Sequence, residues 1–285
     1  LQTLLVPGDT VALVGSSDPI TTSDRLIIGS LLRILTSWGL NITVSPLLYE
    51  DKLNNFIQKA DIINQYFTDK KIKALFDVSG GNMSNSLIPY LDYNAIAQNP
   101  KLFCGYSDLT AVLNAIQVRS KIQVSLFQLK TIIWDKSGKQ KELLYNSLFG
   151  KNNDLYHFSY SFSQADSMIG PLVGGNIRCF LKLAGTKYFP TLKDKILFLE
   201  SHSGDRRLLF SQFHHLAQLP DFTSLNGIIL GTFTAYEQAR SAMSIADLLL
   251  NSLPQFDLPL AKTQQIGHAA TSRALKLGST ITLRR

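Results

Sequence analysis

The sequence predicts an α/β fold, with a mostly parallel N-terminal sheet flanked by helices and a smaller C-terminal α/β domain. Three observations predict it. Short apolar runs alternate with stretches of helical periodicity from Thr10 onward, the pattern that threads parallel strands through crossover helices. Several of these runs stop at small or polar turn residues, as at Gly15-Ser16-Ser17-Asp18, Ser79-Gly80-Gly81-Asn82 and Gly105-Tyr106-Ser107-Asp108. The chain has 285 residues, 45% apolar and 17% charged, the balance of a folded protein long enough for two cores.

The elements follow in order. Thr10–Val14 is a buried strand. Ser23–Trp38 places Leu26, Ile27, Leu31, Ile34 and Leu35 at helical spacing, and Gly39 supplies the stop. Ile42–Val44 begins a strand, Leu53–Phe67 is helical, and Lys73–Val78 is a third strand. A helix is expected over Ser84–Leu91, then a strand at Leu102–Cys104 and a helix directly after Ser107. The pattern loosens between Ser120 and Met168, which places a crossover there. The expected division is an N-terminal domain over 1–150, a linker over 151–169 and a C-terminal domain over 170–285. In the latter, Pro171–Asn176 precedes a helical stretch to Leu183, and Lys195–Glu200 and Gly227–Gly231 are strands. Asp205–Leu216 and Ala239–Leu250 read as helices, and Thr280–Leu283 as a short terminal strand.

Composition narrows the partners. The formal charge of +7 comes from 28 basic and 21 acidic residues scattered in short groups, with no basic arm and no nucleic-acid motif. No nucleic-acid partner is therefore expected. No apolar span of 18 residues is present, so no membrane partner is expected either. Nothing resembles a signal peptide, and a chain that begins at Leu1 stays compatible with a removed leader. Cys104 and Cys179 sit in apolar surroundings and read as buried free thiols. The adjacent His214 and His215 diverge on a helix rather than converge on one ion, so no metal is expected.

In an open parallel sheet, ligands bind beyond the C-terminal strand ends, where Ser16, Gly81 and Ser107 all fall. Ser107 stands between a strand end and a helix start. That is the setting of a nucleophile elbow and equally of an N-cap, and the second glycine of Gly-x-Ser-x-Gly is missing. Glu200 closes an apolar strand, where it can cap a turn or orient an imidazole. His268 follows Ile266-Gly267 in a loop-like segment. Together they stand in the chain order Ser, Glu, His, which is permissive of a triad. The backbone N–H groups near Gly81 and Asp108 are candidate oxyanion donors, and Ser16 is a candidate substrate contact.

Several co-ordered motifs then resemble one family. Val11-Ala-Leu-Val-Gly-Ser-Ser-Asp-Pro19, Ser79-Gly-Gly-Asn-Met-Ser-Asn85, Gly105-Tyr-Ser-Asp108, Leu172-Val-Gly-Gly-Asn176, Ile196-Leu-Phe-Leu-Glu200 and Gly267-His268 resemble the LD-carboxypeptidase family of serine peptidases, which includes the microcin C immunity peptidases. The resemblance implies Ser107 as nucleophile, Glu200 as triad carboxylate and His268 as base. It also implies oxyanion donors around Gly81 and Asp108, and an active site between the two domains. It implies a cytoplasmic homodimer that removes the terminal D-alanine of murein tetrapeptides during peptidoglycan recycling, without metal or cofactor. The alternatives are an immunity peptidase acting on a peptide–nucleotide and a non-catalytic muropeptide-binding protein. Two departures stand out. Val124-Ser-Leu-Phe-Gln-Leu129 replaces the family's His-Gly-Pro or Tyr-Gly-Pro, and Ser201-His202 follows Glu200 where a second acidic residue is common.

Overall fold

The computed structural model describes residues 4–240 and 242–285. In the first half the chain runs through β1 (Thr10–Val14), α1 (Thr22–Ser37), β2 (Asn41–Val44), α2 (Phe56–Thr68), β3 (Ile72–Asp77) and α3 (Tyr93–Gln98). It continues with β4 (Leu102–Gly105), α4 (Thr110–Ser120), β5 (Val124–Leu126), α5 (Thr131–Trp134) and α6 (Lys139–Leu148). The second half contains β6 (Ser161–Gln164), β7 (Ser167–Asn176), α7 (Ile177–Leu181), β8 (Ile196–Ser201), α8 (Arg206–Ala217) and β9 (Gly227–Phe233). It ends with α9 (Thr234–Gln238), α10 (Ile245–Ser252), β10 (Leu260–Lys262), β11 (Leu275–Leu277) and β12 (Thr280–Arg284).

Two six-stranded sheets result, ordered β11-β5-β4-β3-β1-β2 and β12-β7-β8-β9-β10-β6. Among the described residues, five strands of the first sheet are parallel and β11 is antiparallel. In the second sheet β7 to β10 are parallel, with antiparallel β12 and β6 outside them. This is the α/β architecture the alternating pattern predicts. Five of the described helices start where short polar side chains satisfy free N–H groups. Thr21, Asp92, Asn176, Asp205 and Ser244 cap α1, α3, α7, α8 and α10 in this way.

Four local expectations are corrected. Ser84–Leu91 forms two 3₁₀ turns, Ser84–Ser86 and Ile88–Tyr90, instead of one helix. Pro89 has no N–H to give a helix, and Ser84 spends its N–H and hydroxyl on Asp108. The helix expected from Leu53 begins at Phe56. Ala239–Leu250 is broken into the end of α9 and the start of α10, because Ser244 caps a new helix and Tyr236 bonds Met243 O across the gap. The stretch between Ser120 and Met168 is not loose: β5 lies inside the first sheet, and β6 pairs with β10 of the second. Short elements of three or four residues leave too little periodicity to read.

One buried cluster spans both sheets. Val14, Leu75 and Phe103 from the first sheet and Leu172, Phe198 and Ile229 from the second belong to it, with Val112, Leu113 and Ile116 of α4. Residues Thr110 to Ile116 are all buried, so the first two turns of α4 are covered on every face. At about 1.5–3 kcal/mol per fully buried aliphatic side chain, this helix joins the halves rather than resting between them. Asn114 strengthens the joint, donating to Gly174 O of β7 and accepting from Gly174 N at 2.9 and 3.0 Å. Among the described residues no helix is long and apolar enough to cross a membrane.

Candidate active site

Ser107 follows β4 and opens the turn that leads into α4. Its φ of +58° is left-handed, a conformation that costs a non-glycine residue of order 1 kcal/mol or more and persists only where the surroundings enforce it. Here extended Tyr106 before it and buried Leu109 and Thr110 after it fix the bend. The serine hydroxyl is thus presented beyond the strand end, as in a nucleophile elbow.

His268 comes from the other side, on the segment between β10 and β11. Its Nε2 lies 3.1 Å from Ser107 Oγ. Its Nδ1 lies 2.8 Å from Glu200 Oε2, and Glu200, the penultimate residue of β8, is fully buried. Glu200 Oε1 accepts from Asn176 Nδ2 at 3.1 Å, and Asn176 is its register partner on β7. Asn176 N in turn donates to Thr110 Oγ1 at 2.9 Å, which ties the carboxylate's support to the first turn of α4. The three residues proposed from chain order therefore converge at one point between the two sheets. A hydroxyl, an imidazole and a buried carboxylate in that line can move a proton from oxygen to nitrogen and hold the resulting charge.

The other candidates lie around this line with different surroundings. Gly81 has φ +129°, and a Cβ there would meet the Asp18 carboxyl carbon at 2.1 Å, so only glycine fits the turn after β3. The Asp108 carboxylate is not free for chemistry. It accepts from Ser17 Oγ, Ser84 N, Lys182 Nζ and Cys179 Sγ. Burial pushes this carboxyl up, but the bonds from Lys182, Ser17 and Ser84 outweigh it and hold the group below its usual range. Ser16, the candidate substrate contact, is buried, with its N–H bonded to Asp77 Oδ2 at 2.8 Å. Burial raises the Asp77 carboxyl, against the bonds from Ser16 and Ser79.

Cys104 and Cys179 are free and buried, and burial pushes both thiols up to about 12, far from the thiolate a reactive cysteine needs. Among the described residues no three His, Cys, Asp or Glu side chains gather as a metal site would. The cavity of about 500 Å³ lined by Lys101, Lys121, Tyr156 and Lys276 lies at the opposite, N-terminal ends of β4 and β5.

Residues 11–127 match the LD-carboxypeptidase N-terminal domain, and residues 169–283 match the LD-carboxypeptidase C-terminal domain. The chain belongs to the LD-carboxypeptidase family. A putative carboxypeptidase of Treponema pallidum is 29% identical, over 98% of this chain and 90% of its own length. The microcin C7 self-immunity protein MccF of Escherichia coli is 24% identical, over 96% and 90%. A probable murein peptide carboxypeptidase of Bacillus subtilis is 23% identical, over 95% and 88%. Among solved structures, an MccF-like protein from Bacillus anthracis superposes with a TM-score of 0.82 at 25% identity, covering 100% of this chain and 96% of that one. Family and relatives thus point to carboxypeptidase activity.

Within this family frame the structure adds three residues that sequence reasoning did not place. Asn176 was visible only as part of a motif, yet it anchors Glu200 and caps α7. Tyr106 stands edge-on to the His268 ring at 5.2 Å; burial first, and then the Glu200 charge, raise its hydroxyl well above the usual range. His202, noted as a departure from the family, packs its ring 4.6 Å from that of His268. Burial and then the neighbouring His268 lower the His202 imidazole, while Glu200 opposes them. A turn just after Glu200 was the signal that could have found it.

Proposed function

We propose that this chain is a serine-type LD-carboxypeptidase that hydrolyses the amide joining an L-centre to the terminal D-alanine of a murein tetrapeptide, with a role in peptidoglycan recycling. The observation that carries the reading is the contact line from Ser107 through His268 to Glu200, at 3.1 and 2.8 Å, in a chain of this family. In it, His268 Nε2 takes the proton from Ser107 Oγ as the oxygen attacks the scissile carbonyl. The backbone N–H groups at Gly81 and Asp108 receive the developing oxyanion. Collapse of the tetrahedral species expels the D-amino acid, whose nitrogen accepts the proton from His268. Water, giving its proton to His268, then attacks the acyl-enzyme ester; the bond to Ser107 Oγ breaks, Oγ takes the proton back, and the shortened peptide acid is released. Glu200 holds the imidazole in the right tautomer and stabilises its charged form; being buried, it acts with little screening by solvent. Support for the substrate class comes from the relative named a probable murein peptide carboxypeptidase.

The test is mass spectrometry of a murein tetrapeptide incubated with the wild type and with Ser107→Ala. Loss of one D-alanine with wild type alone is expected, with both proteins folded by circular dichroism. A folded wild type that leaves the tetrapeptide intact refutes the substrate. A peptide–nucleotide is the second substrate to assay, because relatives include a microcin self-immunity protein.

A further inference from the structure

Arg178 and Lys182 stand one helical turn apart, with Arg178 on α7 and Lys182 its C-cap, so both side chains leave the same face of the C-terminal domain. Both reach across the domain boundary to the same turn. Arg178 Nη2 donates to Gly81 O at 3.0 Å and Nη1 to Asn82 Oδ1 at 2.7 Å. Lys182 Nζ donates to Asn82 O at 2.7 Å and to the Asp108 carboxylate beside Ser107. Neither cation is required for the contact line among Ser107, His268 and Glu200, so their convergence on Gly81 and Asn82 needs its own reason.

The peptide planes on both sides of Gly81 supply it. Gly80 O accepts from Asp18 N at 3.2 Å, and in a trans peptide the Gly81 N–H points the opposite way, away from Asp18. The following plane is held at both ends: its carbonyl by Arg178, and its N–H, that of Asn82, by Asp18 Oδ1 at 2.9 Å. Gly81 alone would be free to rotate between these planes, since it has no side chain and a φ of +129°. With both planes fixed, the direction of its N–H is set before any substrate arrives. A donor fixed in advance needs no reorganisation when negative charge develops, which is where such donors gain most of their effect.

We propose that Arg178 is a positioning residue that, with Asp18, holds the Gly81 amide in its oxyanion-binding orientation, while Lys182 fixes the next carbonyl, that of Asn82. The two cations would make the turn of one domain competent only when the other domain is docked. The same helix carries Cys179, bonded to Asp108, and follows Asn176, bonded to Glu200. One five-residue helix therefore reports the positions of the carboxylate, the serine's neighbour and the oxyanion turn to one another. The proposal rests on the function proposed above, but its test can be read apart from it.

The test uses the full chain with Arg178→Met, Arg178→Lys and Asn82→Ala. Two rates are measured: turnover of the tetrapeptide, and covalent capture of Ser107 by a fluorophosphonate, whose adduct has a tetrahedral phosphorus and an oxyanion-like oxygen but needs no peptide recognition. Arg178→Met should lower kcat and the capture rate by about 10–100-fold while KM stays within about twofold. Arg178→Lys should recover part of the loss, because one ammonium reaches one of two acceptors. Asn82→Ala, an exposed change that keeps the fold, should move the same two rates less and in the same direction. Unchanged rates in a folded Arg178→Met overturn the clamp. So does a rise in KM with kcat intact, which would make Arg178 a binder of the substrate's carboxylate. If the wild type ignores the peptide but is captured by the probe, and Arg178→Met slows capture, the substrate fails and the clamp stands. A wild-type Ser107 inert to the probe refutes both.

Discussion

Gly267→Ala tests whether His268 is placed by contact rather than by chance. A Cβ at 267 would lie 1.6 Å from Thr232 Oγ1, 2.9 Å from Thr232 Cβ and 3.3 Å from Thr232 Cγ2. Rotating the threonine can remove the hydroxyl clash, but its own Cβ stays at 2.9 Å, where ordinary contact begins at 3.4 Å. The loop must therefore give by about half an ångström. It is not free to do so elsewhere, because Thr232 N is bonded to Ile266 O at 2.8 Å and Gly267 N to Ser272 Oγ at 3.1 Å. The displacement passes to His268, whose 3.1 Å contact with Ser107 would stretch beyond about 3.5 Å. A misplacement of about 1 Å costs on the order of 10²-fold, so half of that predicts a loss of about 10-fold, about 1.4 kcal/mol in the barrier. The assay is kcat/KM together with thermal melting, for Gly267→Ala alone and combined with Thr232→Gly. The second change removes all three clashing atoms and should restore much of the rate. A folded Gly267→Ala with wild-type kcat/KM, or a double variant no faster than the single, refutes the reasoning.

Two further outcomes are expected. Glu200→Gln keeps the size of a fully buried side chain and its bond to Asn176 but removes the charge facing His268. kcat should fall by about 10⁴-fold with KM little changed, and a loss below about tenfold would remove Glu200 from the proton path. Lys182→Met takes away the foremost of the donors holding the Asp108 carboxyl below its usual range. A depressed carboxylate adds stability that is complete above its unfolded pKa of about 4 and is lost as pH falls through the folded value. The variant raises that folded value, so the acid-unfolding midpoint should move to higher pH, read by circular dichroism; an unmoved midpoint counts against the buried pair.

The sequence revealed the long elements and the triad order for different reasons. α1 is long enough for buried and exposed residues to repeat, with Gly39 marking its stop, while β1 and β8 read as continuous apolar runs that end in polar residues. Ser107, Glu200 and His268 stood out because each sits where a strand or loop ends, next to glycine or small polar residues. What chain order did not contain was distance. The partners of Asp108 lie 24 to 91 residues away, and nothing local in Ser17, Ser84 or Lys182 announces them. For the same reason Ser84–Leu91 read as a helix: its propensity is local, while the bonds that divert it come from Asp108. β5, β6 and β11 escaped because three or four residues hold too few repeats to show a period.

The antiparallel strand β11 gives this protein an order of birth. Until Leu275–Leu277 pairs with Val124–Leu126, the first sheet has a bare flank of unpaired N–H and C=O groups. Leu275 is translated 149 residues after Leu126, by subtraction of their numbers. At about 5–20 residues per second, that flank waits roughly 7–30 s on the ribosome. His268 lies on the very segment that closes it, between β10 in one sheet and β11 in the other. Under the proposed mechanism, the nascent N-terminal half holds Ser107 without its base, because His268 arrives together with the strand that seals the sheet.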